Sequence, residues 1–173
     1  MKPSLTDLLC TRCGICCSGE LLADVELAPS DDSSALEALG LEIEEDPDRR
    51  GGELLIQPCA ALRGSRCSIY AHRPKCCRTF ECRLLKKTRL GLMTPEAALR
   101  EIARTLKGMD DIRRQISRLG GGIPERSLKE AGQDILEMTE STKEPAKQRL
   151  RSELQGALAQ LELQLHRTFL APV

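Results

Sequence analysis

Apolar and polar positions alternate on different rhythms in the two halves of the chain. Leu150, Leu154, Leu158, Leu161, Leu165 and Phe169 follow spacings of four, four, three, four and four. That is one stripe on a helix predicted from about Pro145 to Phe169. It can pack inside the protein or against a second copy. The stretch TPEAALREIARTLKGMDDIRRQISRLGGG predicts another helix. Thr94 caps it, Pro95 takes the first helical position, a break falls near Gly108, and Gly120–Gly122 end it. A further helix is predicted from Pro124 to about Thr139. No repeat of 20–50 residues is present.

Upstream, the apolar runs are short and broken by turn residues. VELA (25–28) reads as a strand. PSDDSSALEALG reads as a short helix capped by Ser30 or Asp31 and stopped by Gly40. LEIEEDPDRRGG is acidic and turn-prone. ELLIQPC reads as a strand halted by Pro58 and RCSIY as another, with RGS turning a hairpin between them. Pro74 opens a turn or short helix carrying Cys76 and Cys77. The expected fold class is therefore α+β: a small, loop-rich domain with short strands over residues 1–90, followed by a helical region over 91–173.

Composition adds a constraint. The chain has 173 residues, a length that suits one domain or one domain with an appendage, and it is 40% hydrophobic and 30% charged. Tyr70, Phe80 and Phe169 are its only aromatic residues. Such rings supply much of the buried area of small cores, so this core must rely on Leu, Ile, Ala and a further staple. Nine cysteines (10, 13, 16, 17, 59, 67, 76, 77 and 82) all fall in the first 82 residues.

Charge balances at 26 basic and 26 acidic residues, which argues against general nucleic-acid binding. Residues 1–82 hold 9 Lys/Arg and 14 Asp/Glu, net −5, and the remainder is net +5. No run approaches the ~20 apolar residues that span a bilayer. MKPSLTDLLCTRC lacks the pattern of a secretory signal. The expected location is the cytoplasm, where thiols stay reduced.

Three uses of the thiols compete. Disulfides need an oxidising compartment, and an odd count leaves one thiol over. A nucleophilic cysteine usually stands alone beside a base, whereas here nine cysteines accompany only His72 and His166, which read as surface or packing residues. Metal binding explains more, since thiolate is a soft ligand for Zn²⁺ or iron–sulfur iron. Cys10, Cys13 and Cys16 have the C-x2-C-x2-C spacing of bacterial ferredoxins, and Gly14 would let backbone N–H groups approach sulfur. On a helix, Cys10, Cys13 and Cys17 would instead share a face. Either way the neighbours Cys16 and Cys17 do not easily serve one ion. The site then holds two metals or spends one thiol elsewhere. Cys59, Cys67, Cys76, Cys77 and Cys82 are spaced more loosely, in a stretch rich in Arg and Lys whose charge would offset that of thiolates.

The blocks CTRCGICC, QPCAAL and CSIYAHRPKCCRTFEC resemble the YkgJ-like cysteine-cluster family, a zinc- or iron-chelating domain, over about Cys10–Cys82. The resemblance implies eight metal ligands: Cys10, Cys13, Cys16, Cys17, Cys59, Cys67, Cys77 and Cys82. Cys76 is extra to the pattern, a free thiol or local substitute. Glu81 replaces the family's proline before the last cysteine. Tyr70 and Phe80 are expected as core side chains, and Arg73 and Arg78 as partners of thiolates or carboxylates.

The leading expectation is a metal-binding protein holding Zn²⁺ or an iron–sulfur cluster. One alternative is an iron–sulfur enzyme, either an oxidoreductase or, through a distant link to flagellin lysine N-methylases, a methyltransferase-like protein. Neither G-x-G-x-x-G nor C-x3-C-x2-C occurs to support it. The other is a protein-interaction or self-association module working through the C-terminal helix, with a structural zinc.

Overall fold

The computed structural model describes residues 4–122 and 126–173. Its first helix, α1 (Leu5–Cys10), starts at a capping box: the Ser4 hydroxyl accepts from the Asp7 N–H and the Asp7 carboxylate accepts from Ser4. Three strands follow, β1 (Asp24–Glu26), β2 (Ile43–Glu45) and β3 (Glu53–Ile56), in an antiparallel sheet of order β1-β3-β2. Val25 and Ile43 both register with Leu55, so the three share the face that turns inward, and Leu55 is fully buried. α2 (Ser33–Ala38) contributes Leu36 to the same small core.

Three expectations for this half change. The cap of α2 is Asp32, whose carboxylate accepts from Ala35. Asp31 is used elsewhere. The acidic LEIEE stretch forms edge strand β2, because Ile43 supplies the single inward side chain an edge needs while Glu44 and Glu45 stay exposed. The RGS turn does close a hairpin, but its arms are β4 (Leu62–Arg63) and β5 (Arg66–Cys67), and β3 pairs with β1 and β2 instead.

α3 (Lys75–Thr79) and α4 (Arg83–Arg89) lead into the helical part, α5 (Pro95–Arg118), α6 (Leu128–Met138) and α7 (Pro145–Leu165). Thr94 caps α5 and Pro95 opens it as expected, but the helix runs unbroken through Gly108. A mid-helix glycine costs ~1 kcal/mol against alanine. Burial of Thr105, Met109 and Ile112 on either side outweighs that. Ser127 caps α6 through a capping box with Glu130, and Pro124, its expected start, lies outside the described residues.

The leucine stripe of α7 faces inward. Leu154, Leu161, Leu165 and Phe169 are buried, and Leu150 and Leu158 pack against the same core. Across α5 and α7, Gln164 Nε2 donates to Thr105 Oγ1 (2.8 Å), which itself donates to the Glu101 carbonyl (2.9 Å). This fully satisfies a hydroxyl with no solvent exposure. The helical core also takes in Leu9, Ile15, Leu84 and Leu85 from the cysteine-bearing segment. Among the described residues no helix is long and apolar enough to cross a membrane.

Candidate metal centre

The first cysteine block is a helix end followed by two tight turns, so the alternative of one continuous helical face from Cys10 to Cys17 does not hold. Cys10 closes α1. The chain turns as the Cys13 N–H donates to the Cys10 carbonyl (3.2 Å), and Gly14 takes a left-handed conformation at φ 68°. A single 3-10 turn, Ile15–Cys17, then presents the adjacent pair Cys16 and Cys17. Gly14 is required twice over. Its φ disfavours any side chain, and a Cβ there would lie 3.1 Å from both Leu62 Cδ1 and Ser65 Cα, where the β4–β5 hairpin packs down. Gly14→Ala is expected to cost about 2 kcal/mol or more through these two effects. An unchanged melting transition would contradict the close approach.

The later cysteines come from separate elements that converge on this block. Cys59, which follows β3, donates its N–H to the Cys17 carbonyl (2.8 Å). Its own carbonyl accepts from Leu62 (2.9 Å), and Leu62 pairs with Cys67 across the hairpin. Cys77 sits on α3, which Asp31 anchors by accepting from Lys75 N (2.8 Å) and Ala28 N (3.0 Å). Cys82 is the N-cap residue of α4.

The result is one cavity of about 100 Å³, lined by Cys10, Cys13, Cys16, Cys17, Cys59, Cys67, Cys77 and Cys82. Cys76 is not on its wall. It is half-buried, with its sulfur 3.9 Å from that of Cys77. Ile15, Leu55, Leu85 and Phe169 supply apolar lining. All nine cysteines are free thiols. His72 and His166 are exposed and absent from the lining.

No three His, Cys, Asp or Glu side chains among the described residues form a ready coordination set. The fit to a metal therefore rests on donor chemistry, room and orphaned polarity. Eight soft donors line one space, several times the ~10–15 Å³ a single water needs. One rotamer step shifts a cysteine sulfur by a distance comparable to a zinc–thiolate bond, ~2.3 Å. Gln57 lines the same cavity, and its buried Oε1 has no hydrogen-bond partner among the described residues. On these grounds the residues fit a thiolate-bound metal.

Electrostatics sort the thiols. Burial pushes Cys10 up to about 11 and raises Cys13, Cys59 and Cys82 as well. Against that, the Ile15 amide favours the Cys13 thiolate, that of Ala61 favours Cys59, and those of Leu85 and Leu84 favour Cys82. Cys16 moves the other way, down to about 7, because the Cys17 thiol hydrogen-bonds to it, and that contact raises Cys17.

Arg73 is the cation on the cavity wall. Its guanidinium stacks on the Tyr70 ring at 3.4 Å, its Nε donates to the Tyr70 carbonyl (2.9 Å), and its charge favours the thiolates of Cys10 and Cys16. Tyr70 O–H donates to Asp7 Oδ1 (2.7 Å), which holds the Asp7 carboxyl below the usual range. Tyr70 and Phe80 are thus half-buried cavity walls and not core residues, the position in the core having gone to Phe169. Arg78 is exposed and lies outside the cavity. Glu81 pairs with Arg89, tying the turn before Cys82 to the end of α4.

Sequence reasoning missed Gln57, the Asp31 and Asp7 anchors, and the contribution of Ile102 and Phe169 from the helical region to the wall. The orphaned amide had no sequence signal. The Asp31 anchor lay within reach of the cap reading but was assigned to the wrong helix.

Residues 9–98, just over half of the chain, match the family model CxxCxxCC, described as "Putative zinc- or iron-chelating domain". Neither the curated proteins nor the solved structures gave a match.

Proposed function

This chain belongs to the CxxCxxCC family, and on that premise we propose that Cys10, Cys13, Cys16, Cys17, Cys59, Cys67, Cys77 and Cys82 hold zinc or an iron–sulfur cluster in the cavity they share. The observation that carries the proposal is selective lining: eight cysteines from five separate segments reach one cavity, and Cys76, the one outside the family pattern, does not.

Bound there, zinc would supply a structural crosslink or a Lewis-acid centre, and a cluster would supply an electron carrier. The chain's own groups have defined parts. The amides of Ile15, Ala61, Leu84 and Leu85 stabilise thiolate over thiol. Arg73, held by the Tyr70 ring, offsets part of the negative charge that four-thiolate sites carry, about −2 each with Zn²⁺. Apolar walls limit water access and Gln57 offers an amide to whatever fills the space.

Residues 1–90 then act as the chelating domain, in a reducing cytoplasmic setting that keeps the thiols free. Residues 91–173 act as the helical buttress behind it.

Anaerobic purification followed by elemental analysis and a visible spectrum tests this. The expected outcome is one or two equivalents of zinc, or iron with a charge-transfer band in the visible, and the same content in Cys76→Ser. Less than ~0.3 equivalents of any transition metal would overturn the reading.

A further inference from the structure

We propose that the cavity holds two separate four-thiolate centres, Cys10–Cys13–Cys16–Cys82 and Cys17–Cys59–Cys67–Cys77, parted at the Cys16–Cys17 peptide bond. The proposal rests on the metal-binding reading above and goes beyond it by assigning each sulfur.

Packing makes the division. Cys10, Cys13 and Cys82 pack against the helical core. Cys59 is buried within the sheet core, and Cys17, Cys67, Cys76 and Cys77 pack against it, of which Cys76 alone does not line the cavity. No cysteine belongs to both cores, and Cys16 belongs to neither. Backbone connections repeat the division. α1, which ends in Cys10, packs on α4, which begins after Cys82. Cys13 joins this group through its turn onto Cys10. On the other side Cys17, Cys59 and Cys67 are linked in series through the Cys59–Cys17 hydrogen bond and the Leu62 pairing.

Adjacency completes the assignment. Cys16 and Cys17 occupy successive positions of the 3-10 turn, which leave its axis about 120° apart, so each sulfur can serve a different set while the two stay in hydrogen-bond contact. Cys17 is committed to the sheet side by its carbonyl, which leaves Cys16 to bring the helical side from three thiolates to the four that zinc or a four-iron cluster takes. All eight sulfur-bearing side chains line the same cavity. The two centres are therefore immediate neighbours within one cavity.

The test is thiol alkylation of the full-length, Zn²⁺-loaded protein during partial chelation, read by mass spectrometry of intact chains. Labels count thiols, so the result does not depend on which metal the protein carries in the cell. Cys76 is removed from the count with Cys76→Ser. The expected populations carry zero, four or eight labels, with the four-label molecules modified at one of the two named sets. The double variants Cys10→Ser/Cys82→Ser and Cys59→Ser/Cys67→Ser are each expected to retain one zinc per chain. All-or-none protection of eight thiols, or four-label molecules mixing the sets, would overturn the division and leave metal binding intact. Eight open thiols and no zinc in the loaded wild-type chain would instead defeat the metal-binding reading itself.

Discussion

Stripping the metal with a strong chelator under reducing, anaerobic conditions is expected to release the sheet side of the molecule while the helical side stays folded. The reason lies in the two cores. Among the described residues the sheet core contains six buried members, Leu27, Leu36, Leu41, Leu55, Cys59 and Ala61, with no aromatic ring among them. Strands of two to four residues cannot hold together without such a core. A segment this poor in burial needs a crosslink, and structural metal can supply ~10 kcal/mol or more of folding free energy. The helical core has seventeen buried members among the described residues, including Phe169, Met109 and five isoleucines, and is expected to stand without metal. Hydrogen exchange measures both at once. Amides of β1, β3 and the β4–β5 hairpin should lose nearly all protection on chelation, while those of α5 and α7 keep theirs. Equal protection in both regions before and after would contradict a metal-held sheet side.

Leu154→Ala is expected to be the most damaging single change on the helical side. Leu154 sits at the middle of the α7 stripe with no solvent exposure. Truncating a leucine in a packed core removes its transfer free energy and leaves a cavity, a loss of about 2–5 kcal/mol. For a chain of this length that corresponds to a fall in Tm of roughly 10 °C. Leu163, on the same helix but 57% exposed, serves as the control, and Leu163→Ala should stay within ~0.5 kcal/mol of wild type. Similar melting of the two variants would mean that the stripe does not pack inward. Light scattering on Leu158→Glu adds a second check, because Leu158 presses on Gly132 of α6, where an added Cβ would stand 2.5 Å from Leu158 Cδ1. A charge placed there should destabilise the fold rather than alter its oligomeric state.

The parts of this molecule that were legible in advance are those whose signal is local. The Thr94–Pro95 start of α5 and the α7 stripe follow from capping chemistry and a 3.6-residue period. The eight cysteines that line the cavity were identified as a set by resemblance to a family pattern.

Other features depend on contacts distant in sequence. RLLKKTR gives little warning of α4, because Cys82 at its N-cap is not a usual capping residue, and what fixes the helix is burial of Leu84 and Leu85 against α1 and α5. Strand β2 owes its existence to Leu55 across the sheet, not to its own glutamates. Gly108 reads as a breaker until Met109 and Ile112 are known to be buried. Tyr70 became a cavity wall because Asp7, 63 positions earlier, offers its hydroxyl a partner.

The most direct test of the central claim is X-ray absorption at the metal edge of the protein purified anaerobically without added metal. Thiolate capture predicts a first shell of sulfur alone, at ~2.3 Å for zinc. A first shell dominated by oxygen or nitrogen would contradict it.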